Sequence, residues 1–506
     1  MHKDLQKYQD LHSISRRTAL LQGISHLLEW DQETYMPSDA SAIRGEQLET
    51  MAGLLHEKRT GKEFTSALSK LIDLKTGEIS SKDLNTSQVS ALKRWRRDYI
   101  HATALPKEFV EEFARLSSQS LEVWKKARAD NAYHHFAPFL DKIISMNRKK
   151  AEYLGYKDHP YDALLDLYEP ENNKEKTTIL FNSLKKFLVP LLKKVSVAKQ
   201  ISNDFLFGNF DHQKQLDYSR QLLDSIGYVT IHGRLDTSAH PFSTSLHPTD
   251  SRITTRLHSK SLMSSILSTL HEGGHALYEQ GLPTEHFGSP LGEAISLGMH
   301  ESQSRWWETR IGQSKAFWQH QLPILKKHFK SLNDLSLDDF YKAINKVQPS
   351  LIRVEADEMT YPLHVILRTE LECALIDGSL SVRDLPEAWN AKMQELVGVT
   401  PPTNSDGCLQ DVHWSMGAIG YFPTYVLGNL YGAHLFQSFE KDHPDWTSNV
   451  AEGNLKFIKT WLNDAVYKHG REYNSLELLE KRTGKEFTSK AYIEYLQKKY
   501  GEIYQL

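Results

Sequence analysis

His271-Glu272-Gly273-Gly274-His275 constrains this chain more than any other stretch, because its chemistry works only on a helix. Residues four apart share a helical face, so two imidazoles at that spacing can grip one metal ion together. Glu272 then lies beside the open coordination position, where it can take a proton from water. The flanks agree with a helix. Residues 261–270 place apolar side chains at helical spacing, and Gly281-Leu282-Pro283 closes the segment. The motif therefore falls inside a predicted helix of about five turns. Its two glycines cost that helix about 1 kcal/mol each relative to alanine. They are expected to clear space over the metal for a substrate backbone.

A catalytic zinc takes a third protein ligand, commonly a carboxylate from the next helix. The pattern predicts that helix over residues 290–311, with Glu293 and Glu301 as candidates. Glu301 sits in His300-Glu301-Ser302-Gln303-Ser304-Arg305, which is very polar for an otherwise apolar helix. Burying such a cluster is costly unless its members are paired or bind metal, which favours Glu301. Spacing alone does not exclude Glu293.

Helical periodicity dominates elsewhere, for example over residues 5–30, 40–55, 110–127 and 139–154. Breakers are sparse and no stretch reads as a flexible linker, so the expectation is a mainly α fold with residues 1–506 forming one domain. The exception is residues 228–257. There 229–235 and 252–257 alternate in the manner of strands, which predicts a small sheet just before the motif helix. An edge strand in that place could hold a peptide by main-chain pairing.

The charge balance excludes other classes. With 61 basic and 64 acidic residues the net charge is −3, so nothing argues for a nucleic-acid or membrane partner. Cys373 and Cys408 are the only two cysteines, which fits a reducing compartment better than a disulfide framework. Residues 1–8 lack the apolar core of a leader peptide. No run approaches the roughly 18 apolar residues of a membrane span. A soluble, cytoplasmic protein is expected.

One decapeptide occurs twice, as residues 57–66 and 480–489, each reading Glu-Lys-Arg-Thr-Gly-Lys-Glu-Phe-Thr-Ser. Two distant copies do not make a repeat architecture. They are expected to be similar surface turns, each with a glycine ending one helix before the next begins.

Two further polar clusters stand in apolar surroundings. Residues 352–358 place Arg353 with three acids in a predicted helix. An arginine there can bind a carboxylate through two parallel hydrogen bonds, or simply pair with Asp357 four residues on. Residues 407–414 and 420–425 carry His413 and Tyr421, which are candidate donors to an oxyanion or satisfied core groups. Glu272 and His275 also match a Glu-x-x-His pattern. A di-metal site would need a second copy, and Glu440-Lys441-Asp442-His443 is the nearest candidate, with Pro444 directly after it.

In the order of its motifs the chain resembles the M32 family of metallocarboxypeptidases. The resemblance rests on Trp30 to Pro37, His240-Pro241-Phe242, Asp250-Ser251-Arg252-Ile253-Thr254, the 271–275 motif, residues 300–305, 352–357 and 407–414. It implies a two-lobed helical metallopeptidase with a deep central groove and a small β-sheet beside the zinc site. It also implies removal of single C-terminal residues with broad specificity, and a homodimer. Carried across by motif, His271, His275 and Glu301 are the metal ligands and Glu272 is the general base. Arg353 becomes the partner of the substrate's free C-terminal carboxylate, while His240, Arg252, His413 and Tyr421 line the groove. Zinc is the implied metal, and the same donors accept cobalt or manganese. The alternative on this architecture is an oligoendopeptidase or dipeptidyl carboxypeptidase, separated by whether products differ by one residue or two.

Overall fold

The structure is a computed structural model that describes residues 3–506; Met1 and His2, the start of the stretch judged for a leader, lie outside them. The four segments singled out by periodicity are all helical, in Lys3–Thr34, Ser41–Thr60, Lys107–Ala129 and Tyr133–Leu154, with Ala40 ending a 3-10 turn just before the second. Short polar side chains cap several of the helices. Asn85 forms a capping box with Gln88 at the start of Thr86–Ala104, and Asn474 forms one with Glu477 at Ser475–Thr483. No helix of the described residues is long and apolar enough to cross a membrane.

Apolar side chains gather into two cores, which gives the chain its two lobes. The smaller core joins Tyr8, Leu11, Phe64, Leu68, Leu92 and Trp95 from the N-terminal helices and receives Leu291 from the segment after the motif helix. The larger core holds almost everything from Trp124 onward. Polar contacts join the two. Arg471 bonds Asp98 of the small lobe at 2.8 Å and Glu293 at 2.7 Å. A cavity of about 600 Å³, lined among others by Lys93, Arg97, His101 and Tyr473, lies along this seam.

The small sheet stands where the sequence placed it, with a different composition. It has three strands, β1 (Leu235–Thr237), β2 (Ser243–His247) and β3 (Asp250–Thr255), in the order β1-β3-β2. β1 runs parallel to β3 and β2 antiparallel to it. The expected first strand over 229–235 holds a 3-10 turn, Thr230–His232, with Ile231 87% exposed, and only its last residue, Leu235, enters β1. Gly233 follows, so close to β3 that a Cβ would lie 1.9 Å from the Ser251 carbonyl oxygen. The first helix packs across β2, where His26 Nδ1 meets the Ser245 carbonyl at 2.9 Å. That contact occupies part of the edge that peptide pairing would use.

The twin decapeptides are not twin turns. In the first copy Gly61 is extended (φ −70°, ψ 163°) and helix Lys62–Ser69 starts directly after it, burying Phe64 in the smaller core. In the second copy Gly484 adopts the left-handed region (φ 64°) and residues 485–489 stay non-helical. Phe487 there rests on Tyr431 and His434. The cause lies downstream. Phe64 is followed at helical spacing by Ala67 and Leu68, which share its buried face, whereas Phe487 is followed at those places by Lys490 and Ala491.

Candidate metal centre

The motif lies in the middle of helix Leu262–Gln280, as the spacing requires. The bare faces of its glycines serve packing, contrary to the expectation that they open space above the metal. A Cβ on Gly273 would lie 2.8 Å from the Ile226 side chain, and one on Gly274 would lie 2.6 Å from the Gln303 carbonyl oxygen. The two glycines let neighbouring elements touch the motif helix directly.

The second helix is shorter than predicted. Residues 290–292 make a 3-10 turn, residues 293–296 are non-helical, and the helix proper is Leu297–Arg305, capped by Ser296 Oγ, which accepts from Met299 N. A π-helical turn, Trp306–Ile311, continues it. This arrangement separates the two candidate glutamates. Glu293 is exposed and bound to Arg471, while Glu301 is buried beside the histidines. Helix Pro423–Asp442 presses on it from behind, since a Cβ on Gly428 would lie 2.8 Å from the Glu301 Cβ.

Nε2 of His271 and Nε2 of His275 stand 3.6 and 3.5 Å from Oε2 of Glu301. Among the described residues these three form the one group whose donor atoms all lie within 4.8 Å of one another in a metal-binding arrangement. Ligands about 2.0–2.1 Å from a tetrahedral ion lie roughly 3.4 Å apart, so the spacing suits an ion better than direct hydrogen bonds. The His271 and His275 side chains keep 23% and 16% of their surface, leaving the centre open to solvent. The donor set fits a divalent metal.

Each imidazole is oriented through its other nitrogen. His271 Nδ1 meets Glu308 at 2.8 Å, and Glu308 also accepts from Arg305 at 2.7 Å. His275 Nδ1 meets Nδ1 of His300 at 2.5 Å, and His300 Nε2 meets Glu279 at 2.8 Å. Such partners set ring tautomer and direction, leaving Nε2 for the ion. Burial alone would lower both histidines, and it holds His275 down at about 4. At His271 the Glu301 and Glu308 charges outweigh burial and lift it to about 9. Burial would raise Glu301, but His271 and His275 pull it down to about 2. The cluster thus favours positive charge at its centre. Burial pushes Glu272 up to about 7, with Glu301 and Glu308 adding to the rise against His271.

A continuous polar path leads from this centre to Arg353. Arg305 lies over the Tyr361 ring at 5.3 Å, and the Tyr361 hydroxyl accepts from Arg353 Nη1 at 3.2 Å. Arg353 Nε and Nη2 donate to Oδ1 of Asp411 at 3.0 and 2.9 Å, and Arg368 donates to Oδ2 at 2.6 Å. Gln410 Oε1 accepts from the Arg353 backbone and from Arg368. Residues 352–358 are a single 3-10 turn, Arg353–Glu355, followed by loop, and not the predicted helix. The Arg353–Asp357 pair does not form, because Asp357 accepts from Gln348, Met359 and Thr360 and so closes a local turn just before the next helix.

His413 and Tyr421 face one another at 5.3 Å between ring centroids, and His413 Nε2 meets the Tyr425 hydroxyl at 3.2 Å. Burial lowers His413 to about 4. Burial and the Glu301 charge both raise the Tyr421 phenol, which places it in the electrostatic reach of the metal centre. Arg252 belongs to a separate cluster. It pairs through two bonds with Asp250 and lies 4.6 Å over Trp30. His240 stands exposed on the turn between β1 and β2, its carbonyl accepting from Ser238. The di-metal alternative fails. Glu440 is exposed and helix Pro423–Asp442 ends before His443, whose ring packs against Phe439 and edge-on to Phe457.

Sequence reasoning missed Glu308, Arg305, Tyr361 and Tyr425. Glu308 was the most accessible of these, since it follows Glu301 by two helical turns and so returns to the same face.

The family profile described as Carboxypeptidase Taq (M32) metallopeptidase matches residues 10–500. Thermostable carboxypeptidase 1 of Thermus thermophilus is 40% identical over 507 residues, covering 98% of this chain and 99% of that protein. Carboxypeptidase 1 of Bacillus subtilis is 37% identical, covering 96% and 98%. The crystal structure of an M32 carboxypeptidase from Deinococcus radiodurans superposes with a TM-score of 0.95 at 37% identity, covering 99% of this chain and all of that one.

Proposed function

The chain belongs to the carboxypeptidase Taq (M32) metallopeptidase family, and from that premise we propose how its residues divide the reaction. It is a metal-dependent carboxypeptidase, a hydrolase whose substrates are peptides. In our reading it removes single residues from free C-termini with broad specificity. His271, His275 and Glu301 hold the ion, for which zinc is the first choice and cobalt or manganese are accepted by the same donors. When bound, such an ion polarises the scissile carbonyl and makes water more acidic.

The chain's own groups do the rest. Glu272, buried and poised near neutrality, takes a proton from the attacking water on its carboxylate and returns it to the leaving amine. Arg353, held by Asp411 and Tyr361, binds the terminal carboxylate and sets the register of cleavage one residue from the chain end. Tyr421 and His413 donate hydrogen bonds to the oxygen on which negative charge develops. Arg252 and His240 contact the substrate farther along the sheet side. The observation that carries this reading is the convergence of the three metal donors with Arg353 at the end of one polar path. The relatives named above are carboxypeptidases, which disfavours the endopeptidase alternative.

The test is mass spectrometry of a metal-loaded enzyme with one peptide in free and C-terminally amidated forms. Stepwise loss of single residues from the free peptide alone is expected. Internal cuts, or equal cutting of both forms, would overturn the assignment of Arg353. We also propose a single domain over residues 1–506, a homodimer, and a cytoplasmic location. The two free, buried cysteines agree with that location. Light scattering at micromolar concentration tests the dimer, and a monomer there removes it.

A further inference from the structure

Glu372 is one of the most completely buried charged side chains in the molecule, and the reaction described above makes no use of it. It lies on helix Tyr361–Asp377, four residues after Arg368 and so on the same helical face. Its Oε1 accepts from Trp414 Nε1 at 2.9 Å, and its Oε2 accepts from Gly420 N at 3.1 Å and from the Tyr161 hydroxyl at 2.7 Å. All three donors are neutral. Arg368, one turn earlier on the same helix, gives its bonds to Asp411, Gln410 and the His364 carbonyl. Burying a carboxylate on neutral donors is expensive, so the arrangement calls for a reason.

The donors supply it. Trp414 directly follows His413, and Gly420 directly precedes Tyr421. We propose that Glu372 is a positioning residue, whose carboxylate clasps both ends of the loop between His413 and Tyr421 and so fixes where those two side chains meet the substrate. The proposal rests on the substrate roles given to His413 and Tyr421 above. Between the clasped ends the loop is held by its own turn bonds, among them Ala418 N to the His413 carbonyl at 2.9 Å. Gly420 also fits only as glycine. It has φ 89°, and a Cβ there would lie 2.8 Å from the backbone of Leu164 and Leu165. One helix therefore supports both halves of the substrate site. Arg368 braces Asp411 behind Arg353, and Glu372, one turn later, braces the His413–Tyr421 loop.

The experiment compares Glu372→Gln, Tyr421→Phe and the double variant in the metal-loaded enzyme. Gln keeps the size of the side chain and leaves one donor facing an amide NH₂. Glu372→Gln is expected to lower kcat by about 10- to 100-fold, as a displacement on the order of 1 Å does, with KM changed far less. Metal affinity by chelator competition is expected to stay at the wild-type value. In the Tyr421→Phe background the same change should cost clearly less than it does alone, because one of the two interactions it disturbs is already gone. Fully additive losses, or a loss matched by weaker metal binding, would overturn the proposal. Should Glu372→Gln fold poorly, Trp414→Phe removes a single donor and is expected to show a smaller loss of the same kind. Full activity in both Tyr421→Phe and His413→Gln would instead overturn the roles on which the proposal rests, whatever Glu372→Gln does.

Discussion

Glu301 and Asp411 are both buried carboxylates among basic side chains, yet one site is open and the other closed. Oε2 of Glu301 faces two imidazole nitrogens at 3.5 and 3.6 Å, too far for good hydrogen bonds and close enough to share an ion. Asp411 is saturated by guanidinium donors at 2.6–3.0 Å from two arginines. The difference separates reserved space from finished structure. Good donors held slightly too far apart await a ligand, whereas a carboxylate with each oxygen already taken by an arginine has its role in aiming what remains of Arg353.

The comparison breaks most completely at Glu301. Glu301→Gln should lower metal affinity by about 100-fold or more and take activity with it, read by metal content after dialysis. Retained metal at wild-type affinity would transfer the third ligand elsewhere. Glu272 sharpens the contrast because it belongs to neither arrangement. Glu272→Gln should keep full metal content while kcat falls by about 10²- to 10⁴-fold; an active variant would remove Glu272 as the base. On the closed side, Arg353→Ala should cost about 100-fold on a free C-terminus and far less on an amidated one. Equal losses would return Arg353 to a structural role.

The smallest effect concerns Glu372, a buried carboxylate bonded only to neutral donors. Burial raises it from 4.5 to about 7, against the hydrogen bonds that lower it. A carboxyl raised on folding contributes stability that is complete below its unfolded value and lost as pH rises through the folded one. The melting temperature of the wild type relative to Glu372→Gln should therefore fall between about pH 5 and 8, by a few degrees. A difference independent of pH would show that Glu372 does not change protonation over that range.

The open site was far more legible in the sequence than the closed one. His271, Glu272 and His275 declare themselves by spacing on one helix, and Glu301 follows from the cost of burying so polar a segment. Other partners that orient them join separate elements, as His300 does to His275 across 25 residues, and no periodicity encodes such a pairing. Arg353 stands on a 3-10 turn and not on the predicted helix, because the Asp357 carboxylate folds back onto the backbone of Met359 and Thr360 and closes a local turn there. The sheet erred in the same way. Val229-Thr230-Ile231 has strand-forming residues, but Gly233 must press against Ser251, and the run folds into a turn instead. β2 went unseen because Ser-Thr-Ser-Leu-His is half-buried throughout and shows no alternation.

The twin decapeptides carry a practical consequence for anyone handling the enzyme. A protease that cuts after lysine must draw some residues around the bond into an extended line, and exposed non-helical chain allows this where a helix resists it. Lys62 and Lys485 offer such a protease identical recognition sequences, the first at the start of a helix and the second in exposed non-helical chain. Limited digestion should nick the molecule after Lys485 first, leaving its identical counterpart near the N-terminus whole.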